Sequence, residues 1–549
     1  MIKEKPKSKK LPVAIWIIAG IILMGIFVMA ISYTDTGARD SSGNLISSRT
    51  ADVVVCRGTS LADDIIKSFQ CDVVCKSTDN DCADDIRNVV SSNKVVFLKG
   101  NFPLVSKSGR GFINLDRSNF SLIGVNANLY PVYVNDNTII NAAIYINDSK
   151  NIVVDGINIF GNSICSSSTF LCRGLTSIDS NDVLVKNVRI EKVKGFQFTI
   201  EGNMTFPSNN VIDSSYGVGT CTNDVIGGGQ IVSSKVINSI AIQNNGMDCD
   251  YLGGIVLTNS SNVLISNNYV EGFVSFSSET GGSFNNIISN NVIHQTVRGT
   301  GGGVIIFSAL SKNNLISNNN IVHGGITLYG DQNSVLNNVI NPSFTGIIVW
   351  NNSNIIQGNS VLNHYGSGSY DFDIKGKNNI INNNVISGGF RAFNFLGDYN
   401  SAQYNVISNI NGSDVSSSII SSVGQSTVFD YNTIYLNSVN TLGYVFVAEH
   451  ITNSSFSFNK IYNDGRINNY YNVFGNNNNF DSNVVQGISP LNHHSTYEGA
   501  FYLNDFPYSG SLTQYNVCSY LSFFNGKIIS NSTTSCTCTG GSWKCWGMT

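Results

Sequence analysis

Between residues 261 and 485 one phrase keeps returning: SNVLISNNYV, NNIISNNVI, NNLISNNNIV, NSVLNNVI, SNIIQGNSVL, NNIINNNVIS, AQYNVIS, VFDYNTIY, FSFNKIY and FDSNVV. Anchoring each copy on the Asn before its last apolar pair gives Asn268, Asn291, Asn320, Asn338, Asn359, Asn384, Asn405, Asn432, Asn459 and Asn483, in steps of 23, 29, 18, 21, 25, 21, 27, 27 and 24 residues. Weaker copies at Asn158, Asn187, Asn210 and Asn238 extend the array upstream. A second phrase, Gly followed by alternating apolar residues, opens at Gly254, Gly303, Gly325 and Gly346 and continues as DFDIK from Asp371 and AFNFL from Ala392. Such alternation, rich in Val, Ile and Phe, reads as strand. Units of this length with three short strands and no helix cannot bury their apolar faces alone, so they must stack as coils of a solenoid. A parallel β-helix satisfies this: equivalent strands lie about 4.8 Å apart and inward Ile, Val and Phe pile into columns. Asn suits the turns, because it tolerates left-handed backbone and its amide can bond the equivalent Asn one coil away. Neither the Leu spacing of leucine-rich repeats nor the Trp-Asp pair of WD repeats is present.

The 549 residues are 42% hydrophobic and only 12% charged, with a net charge of −4. A disordered chain is excluded, and beyond the Lys-rich start nothing gathers the basic patch that nucleic-acid binding requires. Residues 11–34 contain no charged side chain, and 24 residues at about 1.5 Å each span a bilayer core. Five Lys precede this run and Asp35 follows it, which predicts a single-pass anchor with a cytoplasmic N-terminus and the bulk outside. A signal peptide cleaved near Val28, Met29 and Ala30 is the alternative. All twelve Cys follow this segment and read as disulfides; Cys165 with Cys172 is a local staple, and Cys221 with Cys249, one repeat apart, can meet on neighbouring turns.

The stretch ADDIRNVVSSNKVVFLKGNFPL, followed by NFSLIGVNANL, resembles the N-terminal cap of the right-handed β-helix, pectate-lyase-like superfamily. Residues 83–91 would be the cap helix, 94–98 the first strand, and Gly100, Asn101 and Phe102 its exit. The expected fold is therefore all-β: a right-handed, single-stranded parallel β-helix solenoid with an N-terminal cap helix, preceded by one transmembrane helix. Its divisions are a basic stub (1–10), the anchor (11–34), a Cys-containing linker or cap region (35–81), the β-helix (82–517) and a Cys-rich C-terminal cap (518–549). The superfamily holds lyases, hydrolases, epimerases, adhesins and scaffolds, so the resemblance specifies fold more than function.

Aligning the Gly-initiated strands exposes two outward columns, since residues two apart share a face. One reads Ile305, Thr327, Ile348, Asp373, Asn394; its neighbour reads Phe307, Tyr329, Trp350, Lys375, Leu396. The resemblance implies a polysaccharide groove along this face, with Phe307, Tyr329, Trp350, Thr327 and Asn394 as glycan contacts. Asp371, Asp373 and Lys375 are the candidate catalytic set. The two carboxylates suit glycoside hydrolysis, or they hold Ca²⁺ while Lys375 acts as base for β-elimination. The Asn-Thr-Asp, Asp-Asp and Gly-His-Gly set of polygalacturonases and the Arg-centred signature of pectate lyases are both missing. Glu271, His294 and His323, each three residues after an anchor Asn, are the candidate metal ligands in a second column. Three functions follow from these residues: glycan binding at a cell surface, a polysaccharide lyase or hydrolase, and an inert stalk of roughly 85 Å.

Overall fold

The computed structural model describes residues 50–486, apart from 93, 134–140, 162–171, 194, 203–208, 220–225, 230–233, 244–253, 278–280, 296–302, 307, 365–368, 411–417, 437–443, 464–468, 477 and 480–482. It also describes the short strands Asp35–Arg39, Leu45–Ser47, His494–Glu498, Phe501–Tyr502, Ile528–Ser530, Thr534–Thr539 and Ser542–Gly547. Residues 11–34 lie outside this set; among the described residues no helix is long and apolar enough to cross a membrane.

The architecture is a parallel β-helix. Each coil contributes three strands, and each strand pairs in parallel with its equivalent on the next coil. Ile347–Val349, Ile355–Gln357 and Ser360–Leu362 make one coil. Their partners one coil on are Tyr370–Ile374, Ile380–Asn382 and Val385–Ser387. The first of the three faces is a sheet of 16 strands, from Gly111–Leu115 to His494–Glu498. Alternation sends every second residue inward, so each face delivers a core column. Val304, Ile326, Ile347, Phe372 and Phe393 stack in register on the first face. Ile316, Val335, Ile356 and Ile381 do so on the second, and Ile321, Ile340, Val361 and Ile386 on the third. All are buried, and each contributes about 1.5–3 kcal/mol by leaving water.

Polar ladders hold the corners. Asn319, Asn338, Asn359, Asn384, Asn405, Asn432 and Asn459 are buried in one row, where each backbone N–H donates to the side-chain Oδ1 of the next Asn at 2.8–2.9 Å. A second row runs through Asn286, Asn314, Asn333, Asn354, Asn379 and Asn400. These amides satisfy the main chain where it turns and leaves the sheets, as buried polar groups require. The residue before each ladder Asn turns left-handed: Asn318 (φ 55°), Asn337 (φ 56°) and Asn383 (φ 57°). The repeat anchor thus needs one correction. The ladder residue in its third copy is Asn319, not Asn320, which lies exposed in the following strand. Upstream, Ser215 and Ser239 take the ladder position, with Asn238 as the left-handed residue before Ser239.

At the N-terminal end the helix Ala83–Ser92 buries Ala83, Ile86 and Val90 in the core. The following strand runs over Val95–Leu104, straight through Gly100, Asn101 and Phe102, with a register shift between Leu98 and Gly100. It is not the first strand: Val53–Arg57 precedes it and pairs in parallel with both it and Val73–Cys75. Two disulfides, Cys56 with Cys71 and Cys75 with Cys82, tie this region together. At the other end the strands Ile528–Ser530, Thr534–Thr539 and Ser542–Gly547 pair antiparallel, which departs from the coil pattern.

Candidate functional site

The first outward column of the first face is in the register its sequence implied: Ile305, Thr327, Ile348, Asp373 and Asn394 are consecutive partners, followed by Ser421. The column changes character along its length. Ile305 and Thr327 are buried, whereas Ile348, Asp373, Asn394 and Ser421 are half-exposed. In the neighbouring column Tyr329 and Trp350 stack with ring centroids 5.5 Å apart and planes 6° from parallel. From the next coil the Lys375 ammonium lies 3.5 Å from the centre of the Trp350 ring and 3.3 Å from Asp373 Oδ2. Asn394 closes the row by donating Nδ2–H to Asp373 Oδ1 at 2.9 Å. Trp350, 42% exposed, therefore has Tyr329 against it from one coil and Lys375 from the next. Beyond it Leu396 and Val423 continue the exposed apolar flank. Phe307 lies outside the described residues.

Asp373 and Lys375 meet, but Asp371 is elsewhere. It is fully buried, and its Oδ1 lies 2.8 Å from Nδ1 of His364, itself buried. His364 Nε2 lies 3.0 Å from Oγ of the half-exposed Ser369. Burial pushes the Asp371 carboxyl above its ordinary value, while the hydrogen bond and charge of His364 pull the other way. The open face thus carries one carboxylate of the pair, beside an ammonium that is already engaged.

The metal column is also altered. Glu271 and His294 are direct partners, but His294 pairs with Val322, not His323. His323 is one residue further on, in a left-handed turn at φ 60°, with its ring 5.3 Å from that of His294. The slip follows from the Asn319 correction, since the column was counted from the anchor. Among the described residues the one group with three ligand atoms within 4.8 Å of one another is Cys75, Asp79 and Asp85, and Cys75 is committed to a disulfide. Cys172 is disulfide-bonded; Cys165, Cys221 and Cys249 lie outside the described residues.

Two features were missed from sequence. His364 and Ser369 precede the strand that carries Asp371 and Asp373, and no repeat phrase marks them. Tyr404, Tyr431 and Phe458 occupy the left-handed corner held by Asn in earlier coils, at φ 58–60°. They stack along the surface with centroids 5.2 and 4.8 Å apart. The signal was legible: the phrases QYN, DYN and SFN replace the usual Asn-Asn.

The fold and this row define a parallel β-helix protein with a mixed ionic and aromatic strip on one face. No protein family matches the chain, and no curated protein is similar to it. Among solved structures it is similar to the tailspike protein of E. coli bacteriophage HK620 in complex with pentasaccharide, at 14% identity and a TM-score of 0.38, covering 85% of this chain and 79% of that one. The Dettilon tailspike protein gives 15% identity and a TM-score of 0.33, with 65% of this chain covered and 64% of that one, so the chain spans less than two thirds of it. The A-module of the Azotobacter vinelandii mannuronan C-5 epimerase AlgE4 gives 13% identity and a TM-score of 0.30, covering 76% and 95%.

Proposed function

We propose that this protein is a membrane-tethered, extracytoplasmic β-helix that binds a polysaccharide or surface glycan along the face carrying Trp350, Asp373, Lys375 and Asn394. The observation that carries the reading is the half-exposed row itself. A carboxylate and an ammonium on one coil and an amide on the next stand beside the exposed apolar surface of Trp350, Leu396 and Val423. Sugars need that pairing, because their hydroxyls take hydrogen bonds while their C–H faces take apolar contact. The uncharged residues 11–34 and the cysteines that follow them support the tether and the outward location.

Retention on a panel of immobilised neutral and acidic polysaccharides, with and without Ca²⁺, tests this. Trp350→Ala combined with Asp373→Asn should reduce retention at least about tenfold, the loss of roughly 1.4 kcal/mol of contact. Unaltered retention would remove the row from the reading. The same incubations separate the alternatives. Unsaturated uronide or new reducing ends that vanish in Asp373→Asn would make the protein a lyase or hydrolase, and neither retention nor product on any glycan would leave the stalk.

A further inference from the structure

We propose that Ser369, His364 and Asp371 form an acyl-transfer relay, with Ser369 Oγ as nucleophile and small carboxylic esters as substrates. The connectivity is that of a nucleophile, a base and an orienting acid. A carboxylate oxygen sits 2.8 Å from one ring nitrogen of His364, and a hydroxyl sits 3.0 Å from the other. An ionised Asp371 only accepts, so it selects the tautomer with the proton on Nδ1 and leaves the Nε2 lone pair facing Ser369. The hydroxyl has a second acceptor, the Phe344 carbonyl at 3.3 Å, so the relay competes for it with one long bond.

The fold does not need these groups. Continuing the strand register, Asp371 shares a column with Gly346, Ala392, Ile419 and Val445, the last three of which are core residues. A carboxyl placed there is expensive to bury, and an apolar side chain serves each of the next three coils. His364 is equally enclosed, its side chain 0% exposed. The next coil makes room for the pair. Gly389 continues the third-face register to the level of His364, and a Cβ there would lie 1.9 Å from Asp371 Oδ2. Of the three, Ser369 alone reaches the surface, one end of a buried relay opening to solvent. Buried titratable groups maintained against this cost, with the apolar solution present in adjacent coils, mark a site.

In the proposed reaction Ser369 Oγ bonds to the ester carbonyl carbon while its proton passes to His364 Nε2. The carbonyl carbon–alkoxy oxygen bond then breaks, and the departing alcohol takes that proton. Water, deprotonated by the same nitrogen, releases the acid from Ser369 and restores the hydroxyl, so that ester and water give acid and alcohol.

The test treats the purified full chain with a fluorophosphonate probe and with 4-nitrophenyl acetate, mapping the adduct by mass spectrometry. The expected result is an adduct on Ser369 that Ser369→Ala abolishes, together with a fall of about 100-fold or more in labelling and ester hydrolysis for His364→Gln. A folded protein with no adduct on Ser369, or one labelled at the same rate in His364→Gln, overturns the proposal. Should His364→Gln fail to fold, Ser369→Cys replaces it. Its thiol should react with iodoacetamide at pH 6 at least about tenfold faster than an ordinary cysteine, and an ordinary rate overturns the relay. Neither readout uses a glycan, so failure here leaves the binding face untouched, and failure there leaves the relay.

Discussion

Replacing Asn359 by Ala tests whether the Asn ladder carries load or only decorates the corner. The carboxamide is fully buried. Its Oδ1 accepts from the backbone N–H and the Nδ2 of Asn338, both at 2.9 Å, and its Nδ2 donates to Val335 O at 2.9 Å, Asn384 Oδ1 at 3.0 Å and Gln357 O at 3.2 Å. Several of these partners have a second contact. Asn338 Nδ2 retains Ile316 O and Leu336 O, and Asn384 Oδ1 retains the backbone N–H of Asn359. The Val335 carbonyl keeps the ladder bond its register gives it with the next coil, so the Asn338 N–H alone loses its partner, and one stranded buried group puts the cost of Asn359→Ala at about 1–3 kcal/mol. Asn359→Ser is the internal control, because the chain itself uses Ser at this position. Ser239 Oγ accepts from Ser215 N–H and donates to Ile237 O. That substitution restores the acceptor for Asn338 and should cost less than half as much. Urea unfolding measures both, as a shift in midpoint at constant slope. Hydrogen exchange locates the effect, which nearest-neighbour coupling in a solenoid confines to the coils either side of residue 359. An Ala variant no less stable than the Ser variant, or a loss under about 1 kcal/mol, would refute the claim that these amides hold the corners.

Two further outcomes follow from the buried pair. Burial raises the Asp371 carboxyl above its unfolded value of 3.8, so the native state holds this proton more tightly; the group favours folding below that value, and the advantage is lost as pH rises through the folded value. Asp371→Asn removes the dependence, so the melting temperature of the variant minus that of the wild type should grow between pH 4 and pH 7; a flat difference would contradict it. Gly389→Ala should destabilise the wild type by about 2 kcal/mol or more, because its Cβ overlaps Asp371 Oδ2, and much less in an Asp371→Ala background. A coupling energy near zero in that thermal-denaturation cycle would mean that Gly389 is not there to seat the carboxyl.

What the sequence made legible and what it concealed divide along one physical line. Every coil must send the same residue types inward, so Ile, Val and Asn recur and the coil, its three strands and the outward column through Asp373 can be counted off the chain. Where three Asn stand together, at 318, 319 and 320, the marker is degenerate. The inward pair settles it: Ile316 and Ile321 are five apart, as are Ile288 with Ile293 and Val335 with Ile340, and this spacing selects Asn319. Counting from Asn320 instead moved His323 into a column that belongs to Val322. Asp371 and Asp373 show a different limit. Two residues apart in one strand, they should share a face. Alternation holds only where the strand is straight, and here it opens at a corner. Ala392 with Phe393, Ile419 with Ile420, and Val445 with Phe446 are each adjacent and both buried, so the first residue of each pair turns into the core as the chain bends. Asp371 stands at that first position, before Phe372, and the bend delivers it to His364, at the far end of the previous strand. No period connects those two residues, because the contact crosses the corner that separates one repeat from the next. A repeat fixes what each coil has in common, and the relay stands where this coil departs from its described neighbours, Asp371 taking a position held by Gly346 before it and Ala392 after it.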